Sequence, residues 1–262
     1  MQKPANIVLV GAGKVARALG KRLHETGYRI GAVWSRNKEH AQGLADALDT
    51  TGTDELEALP PDADLYLILV PDHAIAPLAE DLFEVIDPSS LVMHSSGATP
   101  TSTLAVFARH GVFYPLQSFS PGRDIDFSEV PLCLHTAKAA DYEEVETLAK
   151  RLSDKVYRVS DQQRLQLHLA AVFVNNFTNY MQHIAQEIVQ ARDLPGDLLL
   201  PLLRETIDKL EELTPAQAQT GPALRADHST LERHEHQLQA QTHWQELYRL
   251  LSQGIQRDLG DR

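Results

Sequence analysis

Two glycines and an alanine near the amino terminus have the type and spacing that hold a phosphate group against the backbone. They follow a short apolar run and form the pattern Gly-x-Gly-x-x-Ala. The first glycine permits a tight turn, the second lets the backbone approach a pyrophosphate, and the alanine lets a helix pack closely on the strand. The helix N-terminus then favours an anion. We predict a dinucleotide site, against the alternative of a purely structural turn, at Gly11, Gly13, Lys14, Val15 and Ala16.

The end of the second predicted strand bears on the choice of dinucleotide. A carboxylate at this point binds the ribose 2′-hydroxyl of NAD, but the chain has Ser35-Arg36-Asn37 instead. A guanidinium with small hydrogen-bonding neighbours suits a 2′-phosphate. We therefore predict NADP, whereas the alternative interpretation makes Arg36 a surface residue at a helix start.

Two further strands end in residues that are predicted to line the nicotinamide half of the site. The apolar run 64–70 leads into Val70-Pro71-Asp72, and the run 90–94 leads into His94-Ser95-Ser96-Gly97. Ligands of open α/β sheets bind at the carboxyl ends of the strands. The Ser-Ser-Gly loop is equally consistent with an ordinary turn before a helix.

Composition restricts the class of protein and its partners. The 262 residues carry a net charge of −12, which argues against nucleic acid or an anionic membrane as the main partner. The single cysteine, Cys133, excludes an intramolecular disulfide and fits a reducing compartment. No run reaches membrane-spanning length and no signal-like region precedes the first strand, so a cytoplasmic location is expected.

Strands alternate with helices as far as residue 160, and only helices are predicted beyond it. This pattern predicts an α/β fold with a doubly wound, mostly parallel sheet, followed by an all-helical domain. We predict a dinucleotide-binding domain over 1–160 and a helical domain over 161–262.

The first helix of that second part is predicted to run from about Asp161 to Arg192. At 100° per residue its apolar side chains fall on one face, and a polar stripe falls on the other. No charged residue occurs from Leu165 to Gln186, which favours a cleft-facing or packed surface over a solvated one. The polar stripe contains His168, Asn175, Asn179 and His183, with Asn176 beside it.

A loop at Thr220-Gly221-Pro222 interrupts the later helices, and Arg225 and Asp227 follow it. These two side chains could recognise a polar substrate or form a local structural pair. Histidines also occur at 228, 234, 236 and 243, but their spacing does not place ligands on one helical face, so no metal site is predicted.

Several segments together make the chain resemble a known group. It resembles the Rossmann-like NADP-dependent oxidoreductases that carry a C-terminal helical domain of unassigned function. These lie within the 6-phosphogluconate dehydrogenase-like proteins, with pyrroline-5-carboxylate reductase, ketopantoate reductase and the deazaflavin-dependent NADP reductases. The segments are the glycine turn, Val70-Pro71-Asp72, His94-Ser95-Ser96-Gly97-Ala98, Tyr114-Pro115-Leu116-Gln117-Ser118-Phe119, His168 through Phe177, and Thr220-Gly221-Pro222 with Arg225 and Asp227.

The resemblance implies a hydride transfer between NADP(H) and a small carbonyl or imine compound, in a homodimer built through the helical domain. The hydroxyacid dehydrogenases of the wider group carry a Lys on the first helix after the sheet, and this chain has none there. His168 is the expected proton donor, since imidazole titrates near neutral pH, with Asn175 and Asn176 beside the substrate. Expected substrate contacts are Gln117, Ser118, Thr220, Gly221, Arg225 and Asp227. The alternative is a non-catalytic NADP-binding sensor or assembly protein.

Overall fold

The structure, a computed structural model, describes residues 6–260. It divides into two compact units, Met1–Asn175 and Asn176–Arg262. Within the described range, no helix combines the length and the apolar character needed to cross a membrane.

The first unit is built on one eight-stranded sheet with the order β3-β2-β1-β4-β5-β6-β7-β8. Neighbouring strands are parallel except β6 and β7, which are antiparallel. The strands are β1 (Asn6–Val10), β2 (Arg29–Trp34), β3 (Gly52–Thr53), β4 (Leu65–Ile68), β5 (Leu91–His94), β6 (Arg109–Pro115), β7 (Leu132–Thr136) and β8 (Val156–Arg158). The predicted α/β class and mostly parallel sheet are confirmed.

Alternate residues of the central strands bury against opposite faces of the sheet, as a period of two requires. Ile7 and Leu9 join one buried apolar cluster, whereas Val8 and Val10 join the other. Both faces are covered, which explains why these strands read as continuous apolar runs.

Helices cover both faces of the sheet and then continue without strands to residue 259. They are α1 (Lys14–Glu25), α2 (Lys38–Asp46), α3 (Ile75–Phe83), α4 (Ala139–Leu152), α5 (Asp161–Ala171), α6 (Thr178–Gln190), α7 (Leu200–Glu212), α8 (Pro215–Ala218), α9 (His228–Gln237) and α10 (Thr242–Leu259). Apolar residues of α1, α2 and α4 pack into one cluster, and those of α3 pack into the other.

Two elements differ from the sequence prediction. Residues 52–53 form the edge strand β3, which the sequence does not predict, because a strand as short as Gly52–Thr53 shows no periodicity. The predicted single helix 161–192 is interrupted by a π-helical stretch at Val172–Phe177. Since π turns bond i to i+5, side chains before and after the stretch do not keep the 100° spacing of the prediction.

The compact units divide fifteen residues beyond the predicted boundary, after Asn175 and not after residue 160. Helix α5 belongs to the sheet unit because its first turn bonds to the 99–101 segment. The Thr101 N–H donates to an Asp161 carboxylate oxygen at 2.8 Å, and the Arg164 guanidinium donates to the Thr99 carbonyl.

The second unit has very little core of its own. Among its described residues, only Ala223 and Leu231 are buried apolar side chains. None of the residues of α6, α7 and α10 is buried.

Candidate active site

The site lies where four adjacent parallel strands end. Val10, Ile68, His94 and Val112 form one row across β1, β4, β5 and β6. Residues that follow this row therefore emerge at one edge of the sheet, and the outer two strands are roughly 14 Å apart at about 4.8 Å per strand. The strand order also reverses between β1 and β4, which is where such sheets form a ligand crevice.

The turn after β1 is shaped by a glycine that no other residue can replace without strain. Gly11 has φ +132°, and a Cβ there would lie 2.4 Å from the Leu69 carbonyl oxygen. Its N–H donates to the Trp34 carbonyl oxygen at 2.8 Å. By contrast, a Cβ at Gly13 would meet nothing within 4 Å. The backbone before α1 is thus open to a ligand.

An open cleft of about 420 Å³ extends from this turn over the edge of β2 and β4. Its lining includes the predicted residues Gly11, Gly13, Ser35, Arg36, Val70 and Pro71. It also includes side chains that the sequence did not single out, among them Trp34, His40, Leu56, Pro77, Leu78 and Asp81. The apolar side chains of α3 and Leu56 offer a wall for a flat ring, Arg36 offers a cationic donor, and His40 offers an imidazole ring.

The three residues of the predicted Ser35-Arg36-Asn37 segment have different roles. Asn37 is the N-cap of α2, where its side chain accepts a hydrogen bond from the His40 N–H at 3.0 Å. The Ser35 hydroxyl accepts a hydrogen bond from the Asn37 N–H at 3.3 Å. Arg36 is exposed on the cleft. The guanidinium of Arg36 is therefore the group placed for a phosphate, while the Asn37 side chain organises the turn.

His94, predicted as a cofactor contact, is fully buried and shapes the loop that follows β5. Its Nδ1 accepts a hydrogen bond from the Ser96 N–H at 3.1 Å. Burial, with the nearby Arg164 guanidinium, lowers the pKa of His94 to about 4. The ring is thus neutral at physiological pH and its Nε2–H faces the Pro100 carbonyl oxygen at 3.4 Å. Both ring nitrogens therefore bond to backbone groups of the loop itself.

Ser96 and Gly97 determine the conformation of the rest of the loop. The buried Ser96 hydroxyl accepts hydrogen bonds from the N–H groups of Ala98 and Thr99, at 3.1 and 2.9 Å. The Ser95 N–H donates to the Ile68 carbonyl oxygen at 3.3 Å, which ties the loop to the end of β4. A Cβ at Gly97 would lie 2.6 Å from His168 Nδ1 and 2.9 Å from the Tyr114 hydroxyl oxygen.

His168, the predicted proton donor, therefore lies against this loop. Its Nδ1 is 3.3 Å from the Tyr114 hydroxyl, and the two rings meet edge to face with centroids 6.3 Å apart. Tyr114 lies at the end of β6, two residues beyond the row that marks the sheet edge. The structure brings together Gly97, Tyr114 and His168 from a loop, a strand and a helix.

The sequence analysis did not single out Arg164, which holds α5 in place. Its side chain is 1% exposed, and Nη1 donates to Asp161 Oδ1 at 2.8 Å. Asp161 also accepts from the Thr101 hydroxyl and N–H. A signal was present, because Asp161 and Arg164 have the i, i+3 spacing of a helical ion pair at the start of an otherwise uncharged run.

Asn175 and Asn176, predicted beside the substrate, lie in the π-helical stretch and are exposed. Asn175 is the last residue of the sheet unit and Asn176 the first of the helical unit. The π register interrupts the single polar stripe predicted for this helix. π turns occur frequently at functional sites.

Other predicted residues lie elsewhere on the sheet unit. Lys14 lines a separate cleft between α1 and the 119–127 loop, and Ala16 is a buried residue of α1. Val15 packs against the buried cluster on that face, and Asp72 is exposed just beyond Pro71. Gln117 and Ser118 are exposed after β6, where the Gln117 side-chain oxygen accepts from the Ser118 N–H at 2.8 Å.

The remaining predicted substrate contacts belong to the helical unit. Asp227 is the N-cap of α9, where Oδ1 accepts from the Thr230 N–H at 3.1 Å. Hydrogen bonds from the Thr230 hydroxyl and N–H lower the pKa of Asp227, so it has a structural role. Gly221 adopts φ +113° in the predicted loop, beside Thr220 and ahead of Arg225.

These residues fit a dinucleotide. Gly13, as the residue before α1, has no side chain to cap the helix, so the first N–H groups remain available to a pyrophosphate. The open space above Gly13, the Arg36 guanidinium after β2 and the apolar wall of the cleft match the parts of NADP in the order expected for this fold.

The comparison with known proteins agrees with this geometry. Residues 6–94 match the family described as NADP oxidoreductase coenzyme F420-dependent, and residues 130–255 match a domain of unknown function (DUF2520). The chain is 38% identical to a protein from Bacteroides fragilis whose crystal structure is described as a "putative NADP oxidoreductase"; 99% of each chain is covered and the TM-score is 0.91. The chain belongs to this family of NADP oxidoreductases. The enzyme is thus an oxidoreductase with a Rossmann-like fold, as predicted.

More distant structures share the fold of this NADP oxidoreductase. An imine reductase from Myxococcus stipitatus in complex with NADP⁺ is 16% identical, with 97% and 96% of the two chains covered and a TM-score of 0.67. A pyrroline-5-carboxylate reductase from Coxiella burnetii is 15% identical, with 99% and 98% covered and a TM-score of 0.61. At these identities the likeness concerns the fold alone. No curated protein matches the sequence.

Proposed function

We propose that this oxidoreductase transfers a hydride between NADP(H) and a small carbonyl or imine compound, and that His168 exchanges the proton. The observation that carries the proposal is the position of His168. Its ring lies against Gly97 and Tyr114 at the same sheet edge as the glycine turn. A titratable ring at this edge is where proton transfer to a substrate would be needed.

The chain's own residues bind and orient the cofactor. The N–H groups at the start of α1 hold the pyrophosphate, and Arg36 pairs with the 2′-phosphate. Val70, Pro71 and the 95–97 loop direct the nicotinamide end toward β5 and β6. When bound, the reduced nicotinamide supplies the hydride, so the protein needs only to orient it and to move a proton.

His168 moves that proton. In the direction of reduction, its protonated ring donates to the nitrogen or oxygen of the compound that receives the hydride, and it takes the proton back in the reverse direction. Asn175, about two turns further along in the π-helical stretch, supplies a neutral amide group, and Asn176 follows it. The imine reductase and the pyrroline-5-carboxylate reductase that share this fold support a C=N or C=O substrate by analogy.

Replacing His168 with Ala tests this role. NADPH oxidation across a panel of small aldehydes, ketones and cyclic imines should fall by about a hundredfold or more, because general acid catalysis contributes that much. The affinity for NADPH, measured by calorimetry, should stay the same. His24→Ala, an exposed histidine on α1, is the matched control and should keep full activity. An unchanged rate in His168→Ala would contradict the proposal.

We also propose that the enzyme is a homodimer through its helical unit. Large apolar side chains of α6, α7 and α10 are exposed, including Leu202 at 66% and Leu250 at 67%. A helical unit with so little core is not expected to be stable while these leucines face water. A second copy of the same surface would cover them, as the common two-fold symmetric interface does.

A cytoplasmic location completes the proposal. The one cysteine, Cys133, is buried in β7, and burial raises the pKa of its thiol to about 11. A neutral, inaccessible thiol is consistent with a reducing compartment. Cell fractionation followed by immunoblotting would test the location, and recovery in a membrane or secreted fraction would contradict it.

A further inference from the structure

The contact between Tyr114 and His168 joins two elements that are far apart in sequence. The Tyr114 hydroxyl oxygen lies 3.3 Å from His168 Nδ1, and the rings are inclined at 67°. Catalytic hydrogen bonds are often long before substrate binds, so this distance is compatible with a working contact. The contact leaves Nε2 as the other ring nitrogen through which His168 can act.

The direction of this hydrogen bond follows from the proton exchange proposed for Nε2. Burial raises the pKa of Tyr114 above its ordinary value, and Cys133 and the Asp72 carboxylate raise it further, while Arg164 opposes them. The phenol therefore stays protonated at physiological pH, and its hydroxyl oxygen can accept a hydrogen bond from Nδ1–H. A neutral imidazole that donates from Nδ1 has no hydrogen on Nε2, so Nε2 can take up a proton and the protonated ring can give that proton back.

The pair is held from two sides. Gly97 leaves room for both groups, since a Cβ there would lie within 3 Å of each. One helical turn before His168, the buried Arg164 guanidinium bonds to Asp161 and to the Thr99 carbonyl. The loop and the helix are thus fixed to each other, and the position of the imidazole depends on all three elements.

We infer that Tyr114 is a positioning residue: its hydroxyl oxygen accepts a hydrogen bond from His168 Nδ1–H and so holds the neutral ring in the Nδ1–H tautomer, which leaves Nε2 to exchange the proton with the reacting group. Its catalytic consequence rests on the proposed role of His168. The phenol does not touch the substrate in this scheme. It keeps one ring nitrogen occupied, so that the other is always the one that donates or accepts the substrate proton.

The tautomer can be measured without turnover. Ring ¹⁵N correlation spectra of the full-length protein, at a pH where the ring is neutral and with the His168 signals assigned by their loss in His168→Ala, should show a single Nδ1–H tautomer. Tyr114→Phe removes only the hydroxyl and should give a mixture of both tautomers. Tyr157→Phe, an exposed tyrosine on β8, should leave the spectrum unchanged. An Nε2–H tautomer in the unaltered protein, or no change in Tyr114→Phe, would overturn the inference.

A double-mutant cycle tests the consequence for catalysis. Tyr114→Phe should lower kcat roughly tenfold with a small cyclic imine as the probe, the effect of one hydrogen bond on a barrier. It should leave the affinity for NADPH unchanged. In a His168→Ala background the same change should have no further effect. Equal losses in both backgrounds would overturn the inference. A normal rate in His168→Ala would instead contradict the proposed function, while the tautomer spectra would still decide the role of Tyr114.

Discussion

At the scale of single residues, some polar side chains of the site are hydrogen-bonded within the protein, and others can contact a ligand. Both ring nitrogens of His94 bond to backbone groups of its own loop, and the side chain of Asn37 caps α2. Arg36 faces the cofactor cleft, and the Nε2 of His168 lies on the side away from Tyr114 Oη. In the proposed function, the guanidinium of Arg36 would pair with the 2′-phosphate and Nε2 of His168 would exchange the proton.

Arg36 should decide the preference for NADP. Arg36→Ala should weaken NADPH binding by roughly ten- to a hundredfold, the value of a hydrogen bond to a charged group, and should leave NADH binding nearly unchanged. Calorimetry with both cofactors measures the difference. Arg29→Ala, an exposed arginine at the start of the strand that precedes Arg36, is the matched control. Equal losses of affinity for both cofactors would refute the assignment.

At the scale of elements, the sequence predicts the strands, turns and caps that local patterns determine. It does not predict the features that depend on contacts between residues distant in the chain. The strands around β1, β4 and β5, the glycine turn and the capping box at Ser160 follow from local patterns. The antiparallel pairing of β6 and β7, the edge strand β3 and the π-helical stretch have no local signal of that strength. The tie between α5 and the 99–101 segment spans some 60 residues, so Arg164 is identified as a buried anchor only in the structure.

The loop after β5 should make stability depend on pH. The pKa of His94 falls from 6.5 to about 4 on folding, chiefly through burial. Between pH 6.5 and about 4, His94 is therefore protonated in the unfolded chain but neutral in the folded chain. Because the unfolded chain binds more protons, the free energy of unfolding decreases as the pH falls through this range. The full effect is roughly 3 kcal/mol at 1.36 kcal/mol per pKa unit.

Urea unfolding at several pH values measures this effect. His94→Asn keeps an acceptor near the position of Nδ1 but cannot take up a proton. The variant should therefore lose the part of the pH dependence that lies between 6.5 and about 4. His110→Asn, a histidine that is less buried on β6, is the control and should keep the slope of the unaltered protein. The same slope in His94→Asn would contradict the account of the loop.

At the scale of the whole molecule, the two units differ in how they are stabilised. The sheet unit buries two large apolar clusters, whereas the helical unit buries almost none of its own apolar side chains. Each exposed leucine that a partner covers would contribute about 1.5–3 kcal/mol at most. Association is therefore a condition for the stability of the helical unit in this account.

A single charge in the exposed leucine surface should disrupt that association. Leu202→Lys should shift the molar mass measured by light scattering from that of two chains toward that of one, and circular dichroism should show some loss of helix. Val106→Lys, which places the same charge at an exposed apolar position of the sheet unit, should remain dimeric. A monomeric unaltered protein with intact helices would contradict the proposed dimer.

The most direct test of the central claim is a crystal structure of the enzyme with NADPH bound. The account predicts the pyrophosphate on the backbone between Gly11 and Lys14, the 2′-phosphate beside Arg36, and the nicotinamide against the 95–97 loop with its reactive carbon on the side of His168. A nicotinamide that points away from His168, or a cofactor held outside the Gly11 turn, would contradict it.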